Sequence, residues 1–374
     1  MITEILTIGD GADRDVMTSR AAKVLEDGGL VAFPTETVYG LGARADLPES
    51  VARLRRAKDR EDGKPFTLHV ASVADALQYT DDLSPLARRL MRKAWPGPLT
   101  LVVDVREPAS TPALRELPPE TVDALYLDST IGLRCPHDDW ATGLLGKVPG
   151  PVVAASANRA GTAPPRSGEE ARKALEGVDV DLLVSGDSTR YAGASTIVRV
   201  RGYELEFLRT GVLDQRIVEK LATLHLLFVC TGNTCRSPMA EGLAKHRLAQ
   251  SVGCRVDQLP AHRILVHSAG TAGGFGGVSE GSVKAMKKRG IDIAKHRSSQ
   301  LTQEEINRAD KIFVMTESHR QAVLSMAPDA EKRTSLILQD EDVPDPVGGP
   351  DQEYEQCAIQ IERGLADRMK ELEQ

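Results

Sequence analysis

The run Leu224-His225-Leu226-Leu227-Phe228-Val229-Cys230 is apolar, of strand length, and opens into Thr231-Gly232-Asn233-Thr234-Cys235-Arg236-Ser237-Pro238. A buried strand that ends in a polar, Gly-containing loop and then meets a proline suited to a first helical turn specifies a β-loop-α unit. The helix is expected from about Pro238 to Ala249. Further strands are expected at Arg263 to His267, Lys311 to Met315 and Ser335 to Leu338, with helices between them and a closing amphipathic helix from about Asp351 to Leu372. Repeated βα units imply a parallel sheet covered on both faces, a Rossmann-like α/β fold.

A chain of 374 residues exceeds what one core usually organises. From Gly28 to Thr210 a second α/β pattern alternates apolar runs (Leu30 to Phe33, Leu99 to Val103, Val152 to Ala155, Thr196 to Val200) with helical patterns (Ser50 to Ala57, Leu83 to Ala94). The division expected is a first domain over 1–215, a polar-faced helix or linker over 216–223 and a second domain over 224–374. No internal repeat relates the halves.

A formal net charge of −7 argues against a broad nucleic-acid surface, which needs clustered Lys and Arg. The first 29 residues lack the basic-then-apolar order of a secretory signal, and no apolar run approaches the ~20 residues of a membrane span. Five cysteines form no dense even framework, so reduced thiols and a cytoplasmic location are expected.

Cys230 and Arg236 stand six residues apart at a strand end and a helix mouth. Such a loop can wrap an anion with its N–H groups, the helix N-terminus and a forked guanidinium. The same field favours a thiolate at Cys230, and the thiolate is the nucleophile. Gly232 is expected to allow the turn and Ser237 to donate a hydrogen bond to the sulfur.

From Leu226 to the C-terminus the chain resembles low-molecular-weight protein-tyrosine phosphatases. The likeness includes this loop, Ser268-Ala269-Gly270-Thr271, the run Gly290-Ile291-Asp292-Ile293 leading to His296, and Asp345-Pro346. It implies Cys230 as nucleophile, Arg236 as phosphate clamp and Asp345 as general acid and base, with Asp342 the local competitor. Thr231, Gly232, Asn233, Thr234, Cys235 and Ser237 complete the loop, His296 and Ser268 support it, and no cofactor or metal is implied. Position 234 carries threonine where tyrosine-specific members have an aliphatic residue, and Pro346 is followed by Val347-Gly348-Gly349 rather than aromatic flanks. The loop is similar to that of bacterial protein-arginine phosphatases, as is Met315-Thr316, which implies a phosphoarginine protein substrate with phosphotyrosine as the alternative. Cys235 is open to two readings, a reversible disulfide partner of Cys230 or a packed thiol.

In the first half, Pro34-Thr35-Glu36-Thr37-Val38-Tyr39-Gly40-Leu41-Gly42 joins a buried strand to what reads as a Gly-rich turn. Lys58-Asp59-Arg60, Trp95-Pro96-Gly97-Pro98, Arg134-Cys135-Pro136, Ser156-Ala157-Asn158 and Leu208-Arg209-Thr210-Gly211 follow. Over about residues 15 to 215 this order resembles the YrdC family of threonylcarbamoyl-AMP synthases, which implies a twisted mixed sheet with helices. It also implies synthesis of threonylcarbamoyl-adenylate from threonine, bicarbonate and ATP, with Mg2+ accompanying the nucleotide, for the machinery that modifies tRNA with a threonylcarbamoyl group. Lys58 and Arg60, spaced to point one way on an extended segment, can offset triphosphate charge, and Ser156 and Asn158 offer neutral donors. The resemblance places Lys58, Arg60, Lys64, Ser156, Asn158 and Arg209 on the ATP side and Thr35, Thr37, His69, Arg134 and Ser195 on the threonine side. Lys64, Ala160 and Pro164 depart from frequent family residues.

The resulting expectation is a bifunctional enzyme. The alternative is a tyrosine phosphatase carrying a non-catalytic nucleotide- or RNA-binding module. A diffusible adenylate product removes any need for direct tRNA binding, which ranks as secondary.

Overall fold

A computed structural model describes residues 2–9, 13–60, 65–186, 188–191, 193–274 and 276–373. They form two compact units, Met1–Ala222 and Thr223–Gln374.

In the first unit the strands are β1 (Ile2–Thr7), β2 (Val31–Phe33), β3 (Gly40–Arg44), β4 (Thr67–His69), β5 (Leu99–Asp104), β6 (Tyr126–Leu127), β7 (Thr130–Arg134), β8 (Val152–Ser156), β9 (Val180–Ser185), β10 (Thr196–Arg201) and β11 (Glu204–Arg209). They make one mixed sheet in the order β1-β9-β2-β3-β8-β4-β7-β5-β10-β11, with β6 added beside β7. The central strands β2 and β3 are buried throughout, whereas the outer β11 alternates exposed and half-buried residues, the pattern of an edge with one wet face. The Gly-rich segment expected as a turn is largely strand β3. A Cβ on Gly42 would stand 2.9 Å from the Phe33 ring, so glycine serves close packing of β3 on β2 rather than chain reversal.

The segment 216–223, read from sequence as a polar-faced helix or linker, is covered by helix Gln215–Ala222. Val218 and Ala222, four residues apart and so on one face, are fully buried in the core of the first unit. Arg89 Nη1 donates to the Ala222 carbonyl at 2.8 Å and ties off the helix end.

The second unit holds β12 (Leu224–Cys230), β13 (Ile264–Gly270), β14 (Lys311–Val314) and β15 (Thr334–Leu336). All pairings are parallel, in the order β13-β12-β14-β15. Phe228 and Phe313 meet at the centre with ring centroids 5.5 Å apart. Helices Arg236–Val252, Glu280–Lys287, Gln303–Arg308, Glu317–Met326 and Asp351–Glu373 cover the sheet. The first starts two residues before the proline that announces it, because Pro238 occupies its first turn. Chain order departs from β12 in both directions, to β13 on one side and β14 on the other. This is a topological switch point, and the crevice outside the carboxyl ends of those strands is where open α/β sheets bind ligands. Among the described residues no helix is long and apolar enough to cross a membrane.

Candidate active sites

The loop 231–235 leaves β12 in that crevice. Its left-handed residue is Asn233 (φ +54), and Gly232 has no positive φ, so the turn expected from the glycine is made by the asparagine. The side chain explains why. Asn233 Nδ2 donates to the hydroxyls of Ser237 and Ser268 at 2.9 Å each, while its Oδ1 accepts from the Ser299 amide at 2.9 Å and from His296 Nε2 at 3.1 Å. A fully buried amide with four partners holds an otherwise costly backbone conformation.

These bonds also orient protons. Ser268 spends its hydrogen on the Glu241 carboxylate at 2.6 Å. Ser237 accepts from Asn233, which leaves its own hydrogen for Cys230 Sγ, 2.9 Å away, while the Asn233 amide points at the same sulfur from 3.3 Å. Both donors hold the sulfur at the base of the loop. Ser237, Ser268 and His296, expected around the loop, meet at the Asn233 side chain, and Glu241, Ser298 and Ser299 join them without having been singled out in the sequence. Ser298 donates to the Gly232 carbonyl at 2.7 Å. Gly270, at the end of β13, is the glycine the loop requires, since a Cβ there would lie 2.4 Å from the Thr231 carbonyl oxygen.

Arg236, buried at the first residue of its helix, donates through Nη1 to the Val343 carbonyl at 3.2 Å and through Nη2 to Asp345 Oδ2 at 2.5 Å and Thr231 Oγ1 at 3.4 Å. Its Nε has no partner among the described residues. Asp345 is 41% exposed in its side chain and opens to solvent over the loop. Asp342, its local competitor, instead accepts from the Glu317 amide at 2.8 Å and caps a helix. Cys235 is buried and donates to Ser279 Oγ at 3.2 Å, whereas Cys230 faces Ser237; both thiols are free. Thr234 is half-buried, its carbonyl taken by the Ser279 amide and its hydroxyl 3.6 Å from Cys235 Sγ. A polar residue missed in the sequence, His319, lies 4% exposed under this loop, 2.8 Å from Thr231 Oγ1.

In the first unit a cavity of about 540 Å3 brings together Thr35, Lys58, Arg60, His69, Arg134, Ser156, Ser195 and Arg209. Thr37 and Asn158 stand behind this wall and fix the residues in it. Thr37 Oγ1 accepts from Arg134 Nη2 at 2.6 Å, and Glu36 Oε1 receives the same nitrogen at 3.0 Å. Lys58 donates to the carbonyls of Ser156 and Asn158 and, at 3.3 Å, to Asn158 Oδ1. Asn158 spends its own amide hydrogens on the Arg159 and Thr162 carbonyls. It is therefore an anchor for Lys58 rather than an open donor. Nor is the Lys58–Arg60 segment extended: Lys58 closes helix Pro48–Ala57 in αR geometry and Asp59 is left-handed (φ +45), which turns both cations into the cavity. Lys64 lies outside the described residues.

Arg209 and Ser195, assigned from sequence to opposite ends of the site, are hydrogen-bonded, with Arg209 Nη2 2.8 Å from the Ser195 carbonyl. Burial, and then the Arg134 charge, push the His69 imidazole down to about 3. Its Nδ1, 3.0 Å from the Thr67 carbonyl, must carry the hydrogen, so Nε2 is a bare acceptor. Burial, and then Arg60, push Lys58 down to about 8, still mostly protonated at neutral pH. Four cations line this wall against Asp59 in it and Glu36 behind it on Arg134, a net positive balance that suits a polyanion. Among the described residues no cluster of three or more His, Cys, Asp or Glu could hold a metal ion.

Comparison with known proteins separates the two units in the same way. Residues 23–211 match the Sua5, YciO and YrdC family model, described as telomere recombination, and residues 225–374 match the low molecular weight phosphotyrosine protein phosphatase model. The chain is similar to a putative threonylcarbamoyl-AMP synthase of Mycobacterium tuberculosis, 37% identical over 223 residues, 59% of this chain and 96% of that protein. It is also similar to a protein-arginine-phosphatase of Geobacillus stearothermophilus, 40% identical over 155 residues, 39% of this chain and 94% of that one. Among solved structures, a Pyrococcus abyssi Sua5 variant superposes with a TM-score of 0.51 at 24% identity, covering 71% of this chain and 91% of that one, a likeness of fold. The chain belongs to both families in series, the Sua5/YciO/YrdC family in its first unit and the low molecular weight phosphatase family in its second.

Proposed function

We propose that the second unit is a cysteine-dependent protein phosphatase acting on phosphoarginine and that the first makes threonylcarbamoyl-AMP from threonine, bicarbonate and ATP. The observation that carries the first half is the convergence of the Ser237 hydroxyl and the Asn233 amide on Cys230 Sγ, beside a buried Arg236 already paired with Asp345. A phosphoryl group entering the loop takes the place of Asp345 on the guanidinium fork. The Cys230 thiolate attacks phosphorus, the bond from phosphorus to the leaving nitrogen breaks, and protonated Asp345 gives its hydrogen to that nitrogen. Water then attacks the phosphocysteine, Asp345 takes a proton from it, and the sulfur leaves as thiolate, returning the site to its starting state.

Thr234 supports phosphoarginine over phosphotyrosine, because a half-buried hydroxyl can bond a guanidinium, whereas an aromatic ring gains nothing from it. Phosphate release from phosphoarginine and phosphotyrosine peptides, side by side, tests this. Phosphoarginine is expected to be preferred, and Thr234→Ile should shift the ratio toward phosphotyrosine by roughly tenfold or more, the worth of one hydrogen bond near a charge. Equal activity on both, unchanged by the substitution, would replace phosphoarginine with phosphotyrosine.

In the first unit the cations Lys58, Arg60, Arg134 and Arg209 suit a triphosphate and a carboxylate, and His69 Nε2 suits an ammonium or hydroxyl donor. Mg2+ fits as a companion of the nucleotide held by its phosphates, since Asp59 is the one acid in the described wall. Pyrophosphate release that requires both threonine and bicarbonate is the expected behaviour. The adenylate would pass to the enzymes that modify tRNA, in the cytoplasm, where reduced thiols persist.

A further inference from the structure

His319 sits on helix Glu317–Met326, after β14, with 4% of its surface exposed and a partner on each ring nitrogen. Nδ1 is 2.7 Å from Thr316 Oγ1 and Nε2 is 2.8 Å from Thr231 Oγ1. Thr231 in turn faces Arg236 Nη2 at 3.4 Å. A guanidinium only donates, so the Thr231 oxygen accepts from Arg236 through one lone pair, and its own hydrogen is free to point to His319. In that arrangement Nε2 is the acceptor, and Nδ1 carries the hydrogen and faces Thr316 Oγ1. Burial, and then the Arg236 charge, push His319 down to about 4, which keeps this neutral form at working pH.

The bond to Thr231 matters because of what Arg236 loses in catalysis. In the free protein its fork rests on Asp345, Thr231 and the Val343 carbonyl. Once Asp345 carries a proton for the leaving group it no longer attracts the guanidinium as an anion does. Thr231 and Val343 are then the protein contacts that keep the fork facing the loop. We propose that His319 is a positioning residue of the phosphatase, which as a neutral Nδ1–H imidazole turns the Thr231 hydroxyl so that its lone pair holds Arg236 Nη2 in the orientation a phosphoryl group requires. The inference rests on the phosphatase reading of the loop.

The test uses the full chain with His319→Gln and His319→Asn, reading inorganic phosphate affinity by calorimetry, KM and kcat on a phosphoarginine peptide, and melting temperature. Glutamine carries an acceptor as far out as imidazole Nε2 and can still take the Thr231 hydrogen; asparagine ends near the Nδ1 position and cannot. His319→Asn is expected to raise the phosphate Kd and KM by about tenfold with kcat within about threefold, the loss of one charge-assisted contact, and His319→Gln to restore most of the binding. Equal losses in the two variants, tracking equal losses in melting temperature, would reduce His319 to core packing and overturn the proposal, as would phosphate binding indifferent to both. Phosphate binding is also measured in the Cys230→Ser background, which needs no turnover; a wild-type chain that binds phosphate through this anchor yet hydrolyses no phosphoester or phosphoguanidine would count against the catalytic reading alone.

Discussion

The two candidate sites both present cations suited to anions, yet they are built by opposite means. In the second unit five consecutive residues after β12, with Arg236 and Ser237, make the receptor, and its shape is set by the Asn233 side chain and one guanidinium. In the first unit the wall is collected from β4, β5, β7, β8, β10, β11 and the end of helix Pro48–Ala57, and its charge is carried by separate side chains. A contiguous loop concentrates function in few atoms, so a single change there removes the chemistry. A dispersed wall spreads binding over many contacts, each held from behind by a residue such as Thr37 or Asn158.

The widest separation of the two sites should come from paired substitutions on one preparation. Cys230→Ser is expected to lower phosphate release by more than about 10^4-fold, because the nucleophile itself is removed, while threonine-dependent pyrophosphate release persists. Lys58→Ala should do the reverse, lowering pyrophosphate release by about 10^2- to 10^3-fold through loss of one preorganised cation. Loss of both activities in either variant would mean that the sites are not independent.

A smaller effect distinguishes the loop's two glycines. A methyl on Gly270 would meet the Thr231 carbonyl at 2.4 Å, whereas on Gly232 its nearest neighbour is the Thr234 hydroxyl at 3.4 Å. Gly270→Ala should therefore destabilise the second unit by about 1–3 kcal/mol, read as an earlier thermal transition with phosphatase activity reduced, and Gly232→Ala by less. A reversed order would show that the loop relaxes away from β13.

The same contrast explains what the sequence makes legible. The α/β class, the strand at Leu224 to Cys230 and the Cys230–Arg236 spacing are local, and local patterns survive in the order of residues. Asp345 lies over a hundred residues away in sequence and was reached through its Asp-Pro context. His319, Glu241 and Ser299 carry no such mark: an ordinary helix residue, an acid and a serine acquire their roles only when β12, β13 and β14 bring them under one loop. Asn233 shows the same limit from within the motif, because turn chemistry favours glycine and only the partners Ser237, Ser268, His296 and Ser299 explain why asparagine takes the left-handed position. In the dispersed site most of the expected residues line one cavity, but not in the expected arrangement. Asn158 was expected to face substrate and faces Lys58, and Arg209 and Ser195, expected on opposite sides, share hydrogen bonds. The helix over 215–222 was obscured by its polar face, its buried residues being Val218 and Ala222 with Leu221 half-buried against the same core.

The most direct measurement is acid quenching of the wild-type chain during turnover of a phosphoarginine peptide, followed by peptide mapping for covalent phosphate. Phosphate on Cys230, absent in Cys230→Ser and accumulating when Asp345→Asn slows hydrolysis of the intermediate, is the predicted result. Continued phosphate release by Cys230→Ser, or turnover by the wild type in which phosphate reaches water without appearing on Cys230 even in the Asp345→Asn background, would contradict the account.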